Sequence, residues 1–427
     1  MFSAAEREAI VALIKREVIP AIGCTEPVAV SLCVARATEL LGQLPEKISV
    51  RLSANILKNA MGVGIPGTGM IGLPIAIALG AIVGRSEYGL EVLKDADENA
   101  VAAGKRYIDE QRISIDLKEG IEEKLYIEVE AEAGDHRAVA IISGGHTAFV
   151  YLQQGDEVLL DCRTATTATE SAEDVELTLR RVYDFAMTAP VEEIEFIMES
   201  KRLNKAAAES AFTMDYGHSL GKTLRGEREL KILGDSIFTR ILSYTASACD
   251  ARMGGAMVPV MSNSGSGNQG ISATVPVVIF GREKGVTEEQ LLRALALSHL
   301  TVIYIKQSLG RLSALCGCVV AATGSSCGIT YLMGGEFKEV CYAVKNMVAN
   351  LTGMICDGAK PSCSLKVTSG VSTAVLSALL AIEQRHTTSL EGIIDDDVDK
   401  CIANLTNIGR NGMRETDKLI LEIMTNK

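Results

Sequence analysis

The chain has 427 residues, 47% of them hydrophobic and 4% aromatic with no tryptophan, which is enough apolar material for two or three domains built on Ala, Val, Ile, Leu and Met. A formal net charge of −12, with no basic run to offset it, argues against nucleic acid and anionic lipid as partners. Eleven cysteines in so long a chain, behind a charged amphipathic N-terminus without an apolar signal core, point to a reducing cytoplasm, where they serve as small core residues, metal ligands or catalytic groups rather than as disulfides.

In chain order, residues 3–18 carry an apolar stripe of Ile10, Leu13, Ile14 and Val18 and read as a helix. Thr25-Glu26-Pro27 opens a second helix over 26–41, because Pro is favoured at a first helical position. Lys47–Leu52 alternates like a strand. Asn55 to about Met61 reads as a helix that runs into a glycine loop of Gly62, Gly64, Gly67 and Gly69. Leu73–Val83 is apolar on every side and reads as a buried helix, and Glu91–Glu110 as a helix with a polar face. Ile113–Leu117, Lys124–Ala131, Arg137–Ser143 and Thr147–Gln153 then alternate between turns such as Ala133-Gly134-Asp135, the pattern of an antiparallel meander. Val175–Met187 and Val191–Leu203 read as helices, and from Lys205 onward nearly everything reads as helix broken by glycine loops.

The fold class that follows is α+β: a small antiparallel sheet with helices in the N-terminal half, and a mostly α-helical C-terminal half. Three domains are expected: 1–45, N-terminal helices that carry Cys24 and pack on the C-terminal half; 46–195, an α+β domain with the meander; and 196–427, a helical domain. Met61–Gly84, Met253–Gly281 and Leu312–Gly335 carry no charge and are long enough to span a bilayer. They are also rich in Gly, Ser, Thr, Asn or Pro, and Ser262-Asn263-Ser264-Gly265-Ser266-Gly267-Asn268-Gln269 would be costly in lipid. Packed internal helices and buried loops are expected instead, with no membrane partner.

Two cysteine groups stand out. Cys356-Asp357-Gly358-Ala359-Lys360-Pro361-Ser362-Cys363 is a C-x6-C pair in a Gly/Pro turn that can wrap two thiolates around one centre, and Cys316-Gly317-Cys318 lies in an uncharged segment. Iron–sulfur clusters favour such thiols in apolar surroundings. On spacing alone, C-x6-C is not a standard zinc or ferredoxin pattern, and buried free cysteines are the plainer reading. Cys24 stands just before a helix N-terminus, where the dipole lowers a thiol pKa; it is a candidate thiolate base or nucleophile, or a cysteine in a helix-entry turn. Asn55, Lys58 and Asn59 share a helix face at i, i+3 and i+4, and lead into Gly62–Gly69. With Ser262–Gln269 and Ser143-Gly144-Gly145-His146-Thr147 they can hold a carboxylate, with Lys58 as charge partner, or be ordinary turns with a solvated face. None is a phosphate loop or a dinucleotide fingerprint. Asp395-Asp396-Asp397 reads as a solvated helix start rather than a calcium loop. His218, His299 and His386 have no neighbouring partner in sequence, and no G-x-S-x-G elbow is present.

At these residues the chain resembles the L-cysteine desulfidase family, related to the catalytic α-domain of bacterial iron–sulfur L-serine dehydratases. The likeness runs over nearly the whole chain and is carried by Gly23-Cys24-Thr25-Glu26-Pro27, Asn55–Gly69, Ser262–Gly270, Cys316–Cys318 and, most specifically, Met354–Cys363. The resemblance implies an oxygen-sensitive [4Fe-4S] cluster held by Cys316, Cys356 and Cys363, with Cys318 as a neighbour of similar spacing. The fourth family cysteine corresponds to Cys24. Related serine dehydratases can cap the fourth iron with a C-terminal cysteine. This sequence ends Ile423-Met424-Thr425-Asn426-Lys427 without one, which leaves that iron either open or reached by Cys24.

The activity implied is α,β-elimination of a small amino acid. L-cysteine would give pyruvate, ammonia and sulfide through an aminoacrylate that tautomerises and hydrolyses, and L-serine is the second substrate. Cys24 is the candidate base, and Asn55, Lys58, Asn59, His146, Ser264 and Asn268 are candidates for gripping the substrate's carboxylate and ammonium. A homodimer is compatible with this reading. Two rivals remain at this point: a pyridoxal-phosphate lyase using Lys58, and a non-enzymatic membrane or scaffold protein.

Overall fold

The computed structural model describes residues 2–121, 123–163, 175–310 and 313–426. Helix Ala4–Glu17 begins at Ser3, whose hydroxyl accepts the Glu6 N–H while the Glu6 carboxylate accepts the Ser3 N–H, a reciprocal cap that fixes the start of the chain. Ile10, Leu13 and Ile14 are its buried stripe. Strand β1 (Pro20–Ile22) follows, then helix Thr25–Leu41, which ends where Gly42 turns left-handed at φ 76°.

The larger sheet contains β2 (Lys47–Leu52), β3 (Ile113–Leu117), β4 (Tyr126–Ala133), β5 (His136–Ser143), β6 (Phe149–Gln154) and β7 (Glu157–Asp161), in the order β3-β2-β4-β5-β6-β7. Strands β4 to β7 form a four-stranded antiparallel meander, whose last strand, β7, the sequence pattern did not indicate. Strand β3 corrects the expectation. It pairs parallel with β2, Ile48 opposite Ile113, and β2 lies between it and β4. Parallel neighbours need a crossover, which the helices between residues 54 and 109 supply. Ile48, Val50 and Leu52 of β2 point into a core shared with helices Thr25–Leu41, Leu73–Ile82 and Glu98–Asp109.

Three expected helices are interrupted or start later. Over Glu91–Glu110 a helix forms only from Glu98, because Asp97 accepts the Ala100 N–H at 2.8 Å and caps it there. The helix expected from Val175 starts at Leu179, capped by Thr178. The stretch Val191–Leu203 breaks into a single turn, Val191–Ile194, and the longer helix Met198–Thr213.

The C-terminal half is helical, with Gly317–Leu332 at its centre, enclosed by Gly267–Lys284, Glu288–Leu309, Phe337–Leu351 and Cys363–Ile382. Gly324 lets the Ser298 carbonyl come to 2.5 Å of where a Cβ would stand, so that the two helices lie backbone to backbone. Among the described helices one, Cys363–Ile382, is long and apolar enough to cross a membrane, and half of its most apolar window is buried inside the protein. The uncharged stretches otherwise become loops feeding buried helices.

The two main cores do not follow chain order. Helix Ala4–Glu17 joins the helical core together with residues 177–197, whereas helix Thr25–Leu41 joins the sheet core, and Leu421 of the C-terminal helix Arg414–Thr425 packs on the sheet side. A second, two-stranded ribbon stitches the ends of this arrangement: β1 pairs antiparallel with β8 (Pro259–Met261), Pro20 opposite Met261. Strands of three residues carry too little alternation to be read from sequence.

Candidate active site

The N-termini of helices converge on one cavity. Cys24 is the residue that begins helix Thr25–Leu41, Ser266 begins Gly267–Lys284, Cys316 begins Gly317–Leu332, and Cys363 is the first residue of Cys363–Ile382. All four residues line the same space of about 110 Å³. None of these helix ends is capped by a side chain, so each brings its positive dipole end to the cavity, where anions and thiolates are favoured.

The two cysteine loops are joined through their backbones. Leu315 and Ile355 form an antiparallel bridge, the Cys316 N–H donates to the Met354 carbonyl at 2.9 Å, and the Cys356 N–H donates to the Ala314 carbonyl at 2.6 Å. The turn to Cys363 passes through Gly358 at φ 90°, where a Cβ would stand 2.1 Å from the Lys58 carbonyl oxygen. Asp357 braces the turn by pairing with Lys366 and, at 2.5 Å, with Lys360. Burial alone would raise the Asp357 pKa, but these lysines outweigh it and hold it down to about 2.

Five of the lining residues are cysteines: Cys24, Cys316, Cys318, Cys356 and Cys363. The Cys316 and Cys318 sulfurs are 3.3 Å apart, and the contact brings the Cys316 thiol down to about 7. The same contact, with burial, pushes Cys318 up; its sulfur also lies 3.1 Å from Met354 Sδ and 3.5 Å from the Lys366 carbonyl oxygen. Burial raises Cys356 to about 11 and raises Cys363 as well. Among the described residues no three His, Cys, Asp or Glu side chains close on a point as they would around one metal ion. The ligands of a cubane stand on separate irons and are spread more widely, and a sulfur-rich donor set at helix N-termini fits such a cluster.

Cys24 corrects the sequence expectation of a thiolate. Burial first, and then the neighbouring Glu26 carboxylate, push its pKa up, and the helix end does not compensate. Its thiol donates to Glu26 Oε2 at 3.1 Å, while Asn59 Nδ2 donates to Glu26 Oε1 at 3.3 Å. Glu26 is buried, lines the cavity and was not singled out from sequence, although it stands inside the Gly23–Pro27 motif.

On the opposite side, Ser264 adopts φ 48° and its hydroxyl donates to Asn263 Oδ1 at 2.8 Å. The Asn263 amide reaches His299 Nδ1 at 3.0 Å, and His299 Nε2 lies 3.0 Å from the Thr274 hydroxyl. His299, without a neighbour in sequence, is thus the buried anchor of the loop; burial lowers it to about 4 and keeps it neutral. Gln269, at the end of the Ser262–Gln269 loop, lines the cavity; Arg252, Lys306 and Lys366 also line it, and nothing in the local sequence marked those three.

Of the residues expected to grip substrate, Asn59, His146, Ser264 and Asn268 face the cavity, His146 from the β5–β6 loop. Asn55 and Lys58 are buried but do not line it, and Lys58 is ion-paired to Asp417. The glycine loop 62–69 is a packing surface rather than a cradle: the Gly64 N–H donates to the Met253 carbonyl at 3.0 Å, and a Cβ there would stand 2.6 Å from Gly254.

Residues 87–422 match the family described as serine dehydratase alpha chain. The chain is 71% identical to a UPF0597 protein of Bacteroides fragilis over 422 residues, 99% of each chain. It is 67% identical to one of Phocaeicola vulgatus, covering 100% of this chain and 99% of that one, and 55% identical to one of Porphyromonas gingivalis, covering 99% of both. The chain belongs to the serine dehydratase alpha chain family.

Proposed function

We propose that the protein is an iron–sulfur lyase that eliminates the β-substituent of a small amino acid, L-cysteine first and L-serine second, yielding pyruvate and ammonia with sulfide or water. The observation that carries this reading is the backbone bridge between the Cys316 and Cys356 loops, which brings distant thiols to one cavity that Cys363 and Cys24 also line. Cys316, Cys356 and Cys363 are our assignment for the [4Fe-4S] ligands; Cys316 is chosen over Cys318 because its own N–H is part of the backbone bridge to the Cys356 loop. When bound, such a cluster supplies a Lewis-acidic iron at the substrate's β-heteroatom, softer toward sulfur than toward oxygen.

The protein's own part is proton handling and orientation. Cys24 Sγ is the candidate base. Its thiol hydrogen is already directed at Glu26 Oε2, so the thiol can pass its own proton to the carboxylate and take the Cα proton in turn. Asn59 steadies that carboxylate, and Ser264, Asn268 and His146 present polar atoms to the substrate. A pyridoxal-phosphate reading has less support, because Lys58 lies outside the cavity lining and is paired with Asp417. All eleven cysteines are free thiols, which suits a reducing cytoplasm.

The test is anaerobic purification with iron and sulfide counts, followed by pyruvate assays on L-cysteine and L-serine side by side. The expected result is about four irons per chain and faster turnover of L-cysteine. Iron-free protein after anaerobic reconstitution, or an iron-loaded protein inert toward both amino acids, overturns the proposal.

A further inference from the structure

Arg252 is the last arginine of helix Ile237–Met253; its side chain is directed into the cavity and only 3% of the residue is exposed. A guanidinium so deeply buried is costly unless a carboxylate or another anion compensates it. Among the described residues no acidic side chain pairs with it. Its Nε donates to the Gly23 carbonyl at 3.2 Å and its Nη1 to Asn268 Oδ1 at 3.1 Å, both neutral acceptors. By contrast Lys366, another cation of the cavity, is ion-paired to Asp357.

The chain makes room for this arginine. At Gly267 an added Cβ would stand 2.2 Å from Arg252 Nε, so the first residue of helix Gly267–Lys284 is bare where the guanidinium passes. Arg252 therefore lies against the uncapped N-terminus of an 18-residue helix, two cationic features side by side. An independent sign of a missing ligand is Gln269, which is 3% exposed and lines the same cavity, and whose Oε1 is buried without a hydrogen-bond partner among the described residues; that oxygen only accepts, so it calls for a donor such as the ammonium of an α-amino acid whose carboxylate lies at Arg252.

Resting on the lyase reading above, we propose that Arg252, with the N-terminus of helix Gly267–Lys284, is the carboxylate-binding element that restricts the site to α-amino acids with a free carboxylate. Arg252 is bonded to the carbonyl of Gly23, the residue before Cys24, and lines the same cavity as Cys24 and Glu26, so a carboxylate held there lies beside both. The residue is a specificity determinant: it holds the end of the substrate that does not react.

The experiment measures binding without turnover. Cluster-loaded protein is titrated calorimetrically with L-alanine, which has no β-leaving group, and with ethylamine, its counterpart without the carboxylate. The wild type is expected to bind L-alanine and to show no saturable binding of ethylamine. Arg252→Gln should weaken L-alanine at least tenfold, and Arg252→Lys should recover part of the loss. Asn268→Asp, which sets a carboxylate against Arg252 inside the fold, should weaken L-alanine with the arginine still present. Unchanged L-alanine affinity in Arg252→Gln, or equal affinity of the wild type for both ligands, overturns the assignment. A protein that binds L-alanine through Arg252 but releases no pyruvate from L-cysteine or L-serine would separate this inference from the lyase reading.

Discussion

Lys58 and Asp417, 359 positions apart, form an ion pair in which the lysine side chain is 2% exposed and the aspartate 23%. The pair ties the C-terminal helix to the short helix Ala54–Ala60, whose Lys58 carbonyl lies close against Gly358 in the cysteine turn. Asp417→Ala leaves a buried ammonium uncompensated and should cost about 3 kcal/mol of stability, whereas Lys58→Met, which removes the charge and keeps the apolar stem, should cost less. Urea denaturation of both variants measures the difference; equal losses would show that the charge is not the cause.

Iron content should separate the cysteines of the cavity. Anaerobically prepared Cys316→Ala, Cys356→Ala and Cys363→Ala proteins are expected to lose most of their iron and the broad visible absorbance, while Cys318→Ala keeps both. The assignment fails if Cys318→Ala bleaches and Cys316→Ala does not.

At Gly358, φ is 90° and a Cβ would meet the backbone oxygen of Lys58, which cannot rotate away. Gly358→Ala should therefore destabilise by about 2–4 kcal/mol and lower iron loading. Gly353, five residues earlier, has open space around its Cβ position, and Gly353→Ala should stay within about 0.5 kcal/mol of the parent. Thermal melts and iron counts on the two variants make the comparison.

His299 is buried neutral, with its pKa lowered from the usual 6.5 to about 4. In this window the unfolded chain binds a proton that the folded one refuses. Its contribution is complete above pH 6.5 and declines as the pH falls toward 4, by roughly 1.4 kcal/mol per pH unit at most. His299→Asn should flatten that part of the stability profile in urea titrations between pH 4 and 7; an unchanged slope would mean that another group sets it.

Replacing Cys24 tests the proton path. Cys24→Ser should keep the iron and lose roughly a hundredfold or more in pyruvate formation, because a hydroxyl gives its proton to Glu26 far less readily than a thiol does. Full turnover in an iron-loaded Cys24→Ser protein would remove the residue from the mechanism.

Much of this was legible in the chain. The alternation of Lys47–Leu52 and the meander strands is a period-two signal, and Leu73–Ile82 is apolar all round because it is enclosed. The cysteines could be picked out because Gly and Pro punctuate their turns. The parallel β2–β3 pairing was not legible, since alternation gives a strand's faces and not its neighbour. Arg252 was invisible for a related reason, and His299 could be read only as a core or surface histidine: each is an isolated polar residue in a helix, and its meaning lies in Gly267 or Asn263, which approach from elsewhere in the chain. Cys24 was misjudged electrostatically, because a helix end is visible in sequence whereas burial and the direction of the Glu26 carboxylate are not.

The ribbon of β1 and β8 has a consequence for biogenesis. The Ser262 hydroxyl donates to the Ile19 carbonyl across 243 positions, so the strand preceding Cys24 has no partner until the polypeptide beyond β8 has left the ribosome. At elongation rates of about 5–20 residues per second that interval is roughly 10–50 s, during which the Cys24 thiol is open to any oxidant nearby. The proposed cluster would come later still, since it needs Cys363, and until then the thiols of the nascent protein would stay reduced only in reducing surroundings.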